Sequence, residues 1–290
     1  MKQRIITGVI LGLLFLAVVF ASGTIVYPLA LWVLNIIGCY EMLNCVGVWK
    51  NPYLAVPAML YAVGCPIVAY YFRYGMFFAA TLVFLFTLLL LLVLASEKVH
   101  TGDVSAAFTM IVYVTVCFSS LIRVRYVTPE PGSNAGDSFG NMIYLLVFVA
   151  AWVTDTFAYF TGVFLGKHKL CPKISPKKTV EGAIGGTVFC VVAFLIYGAV
   201  VARIFKGNPT FAVRPNYIGL AVIGLVMSVL SQCGDLLASV IKRTYGVKDY
   251  GKIFPGHGGV LDRFDSVLLL APFLLVLVED GQFLQLLFHV

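Results

Sequence analysis

The sequence predicts an all-α integral membrane protein: polytopic, with about nine transmembrane helices and a cytoplasm-facing polar site built from the C-terminal half. Three observations carry this expectation. Of 290 residues, 61% are hydrophobic and 11% charged, against roughly 45–50% apolar and about 25% charged in a soluble domain. Folded in water, such a chain would expose large apolar patches. The apolar residues also gather into runs close to the roughly 20 residues that cross a bilayer. Lastly, the net charge of +7 is concentrated between those runs, in the clusters Lys167 to Lys178 and Lys242 to Arg263.

The first run, Ile5 to Phe20, follows Lys2 and Arg4 and precedes Ala21-Ser22-Gly23. That is the outline of a signal peptide, but further spans follow at once, so a retained first helix is expected. The next runs fall near 25–48, 53–72, 76–95 and 104–122. Glu41 lies inside the second, at an insertion cost of roughly 2.5–3.5 kcal/mol; a structural role, paired with a polar neighbour or near the headgroups, is the favoured reading. The polar stretch 128–140 reads as an external loop, and the runs resume at 141–164, 181–203, 216–240 and 265–281. This divides the chain into an N-terminal multi-span region, 1–140, with little legible chemistry, and a C-terminal region, 141–290, that carries it.

Placing the N-terminus in the cytoplasm puts 14 Lys and Arg on that side and 6 outside, as the positive-inside rule requires. The two basic clusters share a side because two runs separate them. The seven Cys are scattered and read as small buried hydrophobes. No Cys or His spacing suits zinc. Gly162 to Lys167 falls one residue short of a phosphate-binding loop. No nucleic-acid partner is expected.

Three features carry candidate chemistry. Asp155 lies within a span, where an ionisable residue is a functional hypothesis by default. In the loop 166–186, Ser175, Lys177, Lys178 and Thr179 offer hydroxyls and cations at a helix start. Thr179 can cap that helix, whose N-terminus would suit phosphate. Gly182, Gly185 and Gly186 leave room for a ligand or another helix. In the segment 231–266, Asp235, Asp262 and Asp265 are interspersed with Lys242, Arg243, Lys248, Lys252 and Arg263. Acids among cations suit a polyphosphate carried on a hard divalent metal such as Mg²⁺. Ser239 is one helical turn after Asp235, and His257 sits between two glycines, where it could contact phosphate, orient an acid or serve the turn.

Residues 239–265 resemble the signature of the CDP-diacylglycerol synthase (phosphatidate cytidylyltransferase) family. The matching positions are Ser239, Lys242, Arg243, Lys248, Asp249, His257, Gly258, Gly259, Asp262, Arg263 and Asp265. The stretch from Asp155 to Gly186, with Ser175-Pro176-Lys177-Lys178-Thr179, resembles it too, although Thr154 and Phe157 replace the smaller residues usual there. The resemblance covers about residues 150–270. It implies a multi-pass enzyme of the cell membrane, a homodimer in many members, that joins CTP to phosphatidate with Mg²⁺. A monovalent cation such as K⁺ is a further candidate. It also implies Asp235 and Asp262 as metal ligands supported by Asp155 and Asp265, with Lys242 and Arg243 in the catalytic set. The remaining signature residues would bind substrate. Amide replacement of Asp235 or Asp262 is then expected to stop turnover without unfolding the chain. The competing readings are another CTP-using lipid enzyme (a lipid kinase or an ether-lipid cytidylyltransferase) and a transporter, whose repeated halves are not evident in this sequence.

Overall fold

The computed structural model describes residues 2–71, 74–127, 136–206, 214–279 and 286–289. Arg73 and residues 128–135 of the expected external loop lie outside them.

The helices are α1 (Lys2–Phe20), α2 (Val26–Cys45), α3 (Pro52–Tyr71), α4 (Tyr74–Leu94), α5 (Thr101–Arg125), α6 (Gly136–Leu165), α7 (Val180–Ile204), α8 (Tyr217–Thr244), α9 (Leu261–Leu268) and α10 (Leu270–Glu279). Each apolar run is therefore helical, but seven helices, α2 to α8, are long and apolar enough to cross a membrane among the described residues. The expected count of about nine is not reached among the described residues. The described apolar part of α1, Ile6–Phe20, is shorter than a full span. The last run is broken at Leu269 into two helices of 8 and 10 residues. Pro272 explains the break: it has no N–H to donate to the carbonyl of Leu268, and its ring crowds that carbonyl. Nor is the chain wholly helical. Strands β1 (Lys169–Cys171) and β2 (Ser175–Thr179) form a hairpin, and β3 (Arg214–Pro215) pairs with β4 (Phe288–His289).

Contacts divide the chain into two units, Met1–Arg123 with Ile241–Phe264, and Val124–Val240 with Asp265–Val290. Residues 241–264, placed by sequence with the C-terminal region, thus pack with the N-terminal helices. In the first unit, Pro66 lies inside α3 and leaves the Ala62 carbonyl without its helical donor. Asn35 of α2 supplies one, its Nδ2 donating to Ala62 O at 2.7 Å. Tyr27 donates to the Leu121 carbonyl at 3.2 Å and so ties α2 to α5. Leu261 packs against Gly38, and Phe264 against Phe118, which docks the start of α9 on α2 and α5.

In the second unit α6 and α7 are the main pair. Gly185 meets Thr161 and Gly186 meets Thr154, so the small residues serve helix contact, one of the two uses their spacing allowed. Thr154 donates to Ser228 at 3.0 Å, and Gln232 donates to Thr187 at 3.1 Å. These polar groups are satisfied across α6, α7 and α8, as water-free surroundings demand.

Candidate active site

In the first unit the chemistry gathers where α8 ends and α9 begins. Gly246, at φ +69°, terminates α8. The Val247 N–H returns to Lys242 O at 2.9 Å and the Gly246 N–H to Arg243 O at 3.2 Å, the paired bonds of a Schellman cap. The chain then turns at Phe254–His257, with Pro255 and Gly256 (φ +79°) in the central positions and the His257 N–H on Phe254 O at 2.8 Å. Pro then Gly is the pairing a type II turn selects.

Asp262, in the first turn of α9, is buried and fully engaged. Its Oδ1 accepts from Lys242 Nζ at 2.8 Å, and its Oδ2 accepts the N–H groups of Tyr250 at 2.8 Å and Gly259 at 2.9 Å. Glu41, from the last turn of α2, accepts the N–H groups of Val260 and Leu261, each at 3.0 Å. Lys242 also lies over the Tyr250 ring, 5.2 Å from its centroid. The imidazole of His257 packs beside Gly8 of α1, and its Nδ1 is buried with no partner among the described residues.

The second unit holds the other acids. Lys178, from β2, forms an ion pair with Asp235 of α8. Asp155 of α6 feels the charges of both Asp235 and Lys178. Its Oδ2 accepts from Ser266 Oγ at 2.8 Å. Asp265 lies beside them: its carbonyl packs on Gly234, and its Oδ1 accepts the Ser266 N–H at 2.9 Å. The hairpin that carries Lys178 is pinned at its base. Glu181 accepts the N–H of Lys167 at 3.1 Å and contacts His168 Nδ1 at 2.6 Å. Thr179 caps α7 as expected, accepting the Gly182 N–H at 3.1 Å. The Val180 N–H goes to His168 O at 2.9 Å. The α7 N-terminus is thus partly occupied by its own chain. The exposed ammonium groups of the hairpin, Lys169, Lys173 and Lys177, stand clear of these amides.

This geometry sorts the cations. Lys178 and Lys242 are partly buried and committed to carboxylates, whereas Lys177, Arg243, Lys248, Lys252 and Arg263 are exposed. Asp249 is exposed in the loop after α8, and Ser175 and Ser239 are half-buried. Gly258 and Gly259 run along the Asp262 carboxylate. The same two helices feed both clusters, α8 with Asp235 and Lys242, α9 with Asp262 and Asp265.

A sequence profile of the cytidylyltransferase family matches residues 2–279. The chain belongs to that family. It is similar to a phosphatidate cytidylyltransferase of Bacillus subtilis, 35% identical over 285 residues, covering 96% of this chain and 97% of the relative. It is also similar to one of Staphylococcus saprophyticus, at 34% identity over 283 residues, covering 96% and 99%, and to one of Staphylococcus epidermidis, at 32% over the same length.

A triphosphate is commonly carried on a divalent cation; among the described residues no group of three or more His, Cys, Asp and Glu side chains that could hold one is found. Lys178 pairs with Asp235, and Asp155 is influenced by both of their charges. Mg²⁺ typically takes one or two carboxylates and completes its shell with water and substrate phosphate. Asp262 is less open to that role, since its Oδ2 holds two amides and its Oδ1 the Lys242 ammonium. Sequence reasoning missed Ser266 and the pairing of Lys178 with Asp235. An acid in a span demands a donor, but the donor to Asp155 comes from 111 residues away.

Proposed function

We propose that this protein transfers the cytidylyl group of CTP to phosphatidate, forming CDP-diacylglycerol and pyrophosphate. The observation that carries the reading is the match to phosphatidate cytidylyltransferases along 96% of the chain. A phosphate oxygen of the lipid attacks the α-phosphorus of CTP. A new P–O bond forms, the α–β anhydride bond breaks, and its electron pair leaves on pyrophosphate. The nucleophile is already ionised, so positioning and charge neutralisation carry the catalysis. The exposed cations Lys177, Arg243, Lys248 and Arg263 bind phosphate oxygens. Lys178 and Lys242 hold Asp235 and Asp262 in place, and Ser266 orients Asp155. Mg²⁺, held by Asp235 with Asp155 and Asp265 beside it, would supply charge for the triphosphate and the leaving group; a metal at Asp262 would have to displace Lys242.

The lipid tails stay in the bilayer while the headgroup reaches the site. CTP arrives from the cytoplasm, so the proposal places the loops 165–180 and 242–263 on that face of the cell membrane. Cysteine-accessibility labelling in sealed vesicles checks this, and labelling of either loop only from outside would overturn it. A homodimer is also proposed, to be tested by mass measurement in detergent.

The deciding experiment gives the purified protein phosphatidate, Mg²⁺ and labelled CTP. Label from the α-phosphate should enter lipid. Entry of the γ-label instead would identify a lipid kinase, and entry of neither would leave the transporter reading. With the reaction established, Lys177→Ala should raise KM for CTP about tenfold, the loss of one hydrogen bond to a charged group. The melting temperature should not move, because the side chain is exposed. An unchanged KM would leave Lys177 a merely topogenic charge.

A further inference from the structure

We infer that Glu41 is a positioning residue for cytidylyl transfer: from α2 it holds the backbone at Val260–Leu261 and so sets where Asp262 and Arg263 are presented. The inference rests on the proposed reaction for its kinetic part and on geometry alone for the rest.

A helix begins with N–H groups that need partners. The residues leading into α9, Gly258-Gly259-Val260, bring no capping side chain. The partner comes instead from α2, and the Glu41 to Val260 bond spans 219 residues. One carboxylate oxygen takes Val260 and the other takes Leu261, each at 3.0 Å, and Glu41 is 2% exposed. The negative charge also complements the positive end of α9.

The surroundings are shaped for this carboxylate. A Cβ at Gly251 or at Gly259 would strike the Glu41 carboxylate oxygens. Two separate points of the loop therefore close over the group, and both are glycine. Glu41 and Asp262 then divide four backbone amides between them: Val260 and Leu261 go to Glu41, Tyr250 and Gly259 to Asp262. The segment from Tyr250 to Leu261 is wrapped on two carboxylates, one from its own end and one from α2. Asp262 and Arg263 follow the clamped residues directly in sequence, so any slip of Val260–Leu261 moves them. A span in the half of the chain with no readable chemistry thereby becomes part of the catalytic apparatus.

Glutamine has the size of glutamate but offers one accepting oxygen and one NH₂, which would face an N–H. Aspartate keeps both oxygens but is one methylene too short. In the full-length protein, Glu41→Gln should lower kcat on the order of 10²-fold, as a misplacement near 1 Å can. KM for CTP should change far less. Hydrogen exchange should quicken across 250–264 while the other helices stay protected. Glu41→Asp should fall between Glu41→Gln and the unaltered protein. Gly251→Ala should reproduce the kcat loss alone, yet add nothing to Glu41→Ala, because the group it strikes is gone. If the unaltered protein proves inactive, the reaction fails but exchange across 250–264 still decides the clamp. Unaltered kcat or exchange in Glu41→Gln, losses that simply follow the melting temperature, or full additivity of Gly251→Ala with Glu41→Ala would each overturn the inference.

Discussion

Asp235→Asn should abolish the entry of α-labelled cytidylate into lipid, a loss of at least 10²–10³ in rate. Asparagine keeps the shape of the side chain and one carbonyl oxygen. It removes the charge that Lys178 pairs with. A cation brought with the triphosphate would then lose its proposed ligand, and Lys178, released from Asp235, would compete with it for Asp155. The Asp235 side chain is 29% exposed, and beside Asp155 its charge is repelled as well as attracted, so the melting temperature should stay close to that of the unaltered protein. A folded Asp235→Asn protein with near-normal turnover would remove Asp235 from the site.

Asp262→Asn should behave differently, and here the structure revises the sequence expectation. From the signature alone, both acids should tolerate an amide, their charge being needed only for a metal. In the fold, Asp262 forms an ion pair with Lys242, the two side chains only 3% and 14% exposed, and it also holds two loop amides. An amide at this position leaves the Lys242 ammonium without its partner, and its NH₂ can point at a backbone N–H. Breaking one side of a buried pair costs on the order of 3 kcal/mol. Asp262→Asn should therefore melt markedly lower and lose turnover together. Lys242→Met in the same background should recover part of the stability, since no stranded charge remains. Turnover should not return, because the loop amides on Asp262 stay mismatched. A melting temperature equal to that of the unaltered protein would mean that the pair contributes nothing.

Comparing these two acids shows how far the sequence could be read. It marked Asp155 by its cost inside a span, and Asp235, Asp262 and Asp265 by the Lys and Arg interspersed with them. It did not separate cations exposed for substrate from cations already committed to acids. Lys177 and Lys178 are neighbours on one strand, yet one is exposed and the other meets Asp235. A strand sends successive side chains to opposite faces, and a stretch as rich in Lys and Pro as 169–179 carries no strand signal in its sequence. The broken last run was missed for a related reason: hydropathy counts Pro272 as one residue among many, whereas the backbone registers a missing donor.

By itself, the sequence determined the membrane class, the positions of the helical runs and the family signature. Each of these depends on residue type and short spacing, and hydropathy and charge act locally. Only the tertiary structure decided which acids pair with which cations, where the α9 amides find their acceptor and what surrounds Asp155. Glu41 with Val260, Asp155 with Ser266 and Lys178 with Asp235 are contacts between residues 219, 111 and 57 positions apart. No local preference encodes such pairings. For Glu41, 2% exposed, the reason is that a carboxylate from which packing has excluded water must find donors wherever the folded chain brings them; the other two pairs follow from which helices and strands the fold sets side by side.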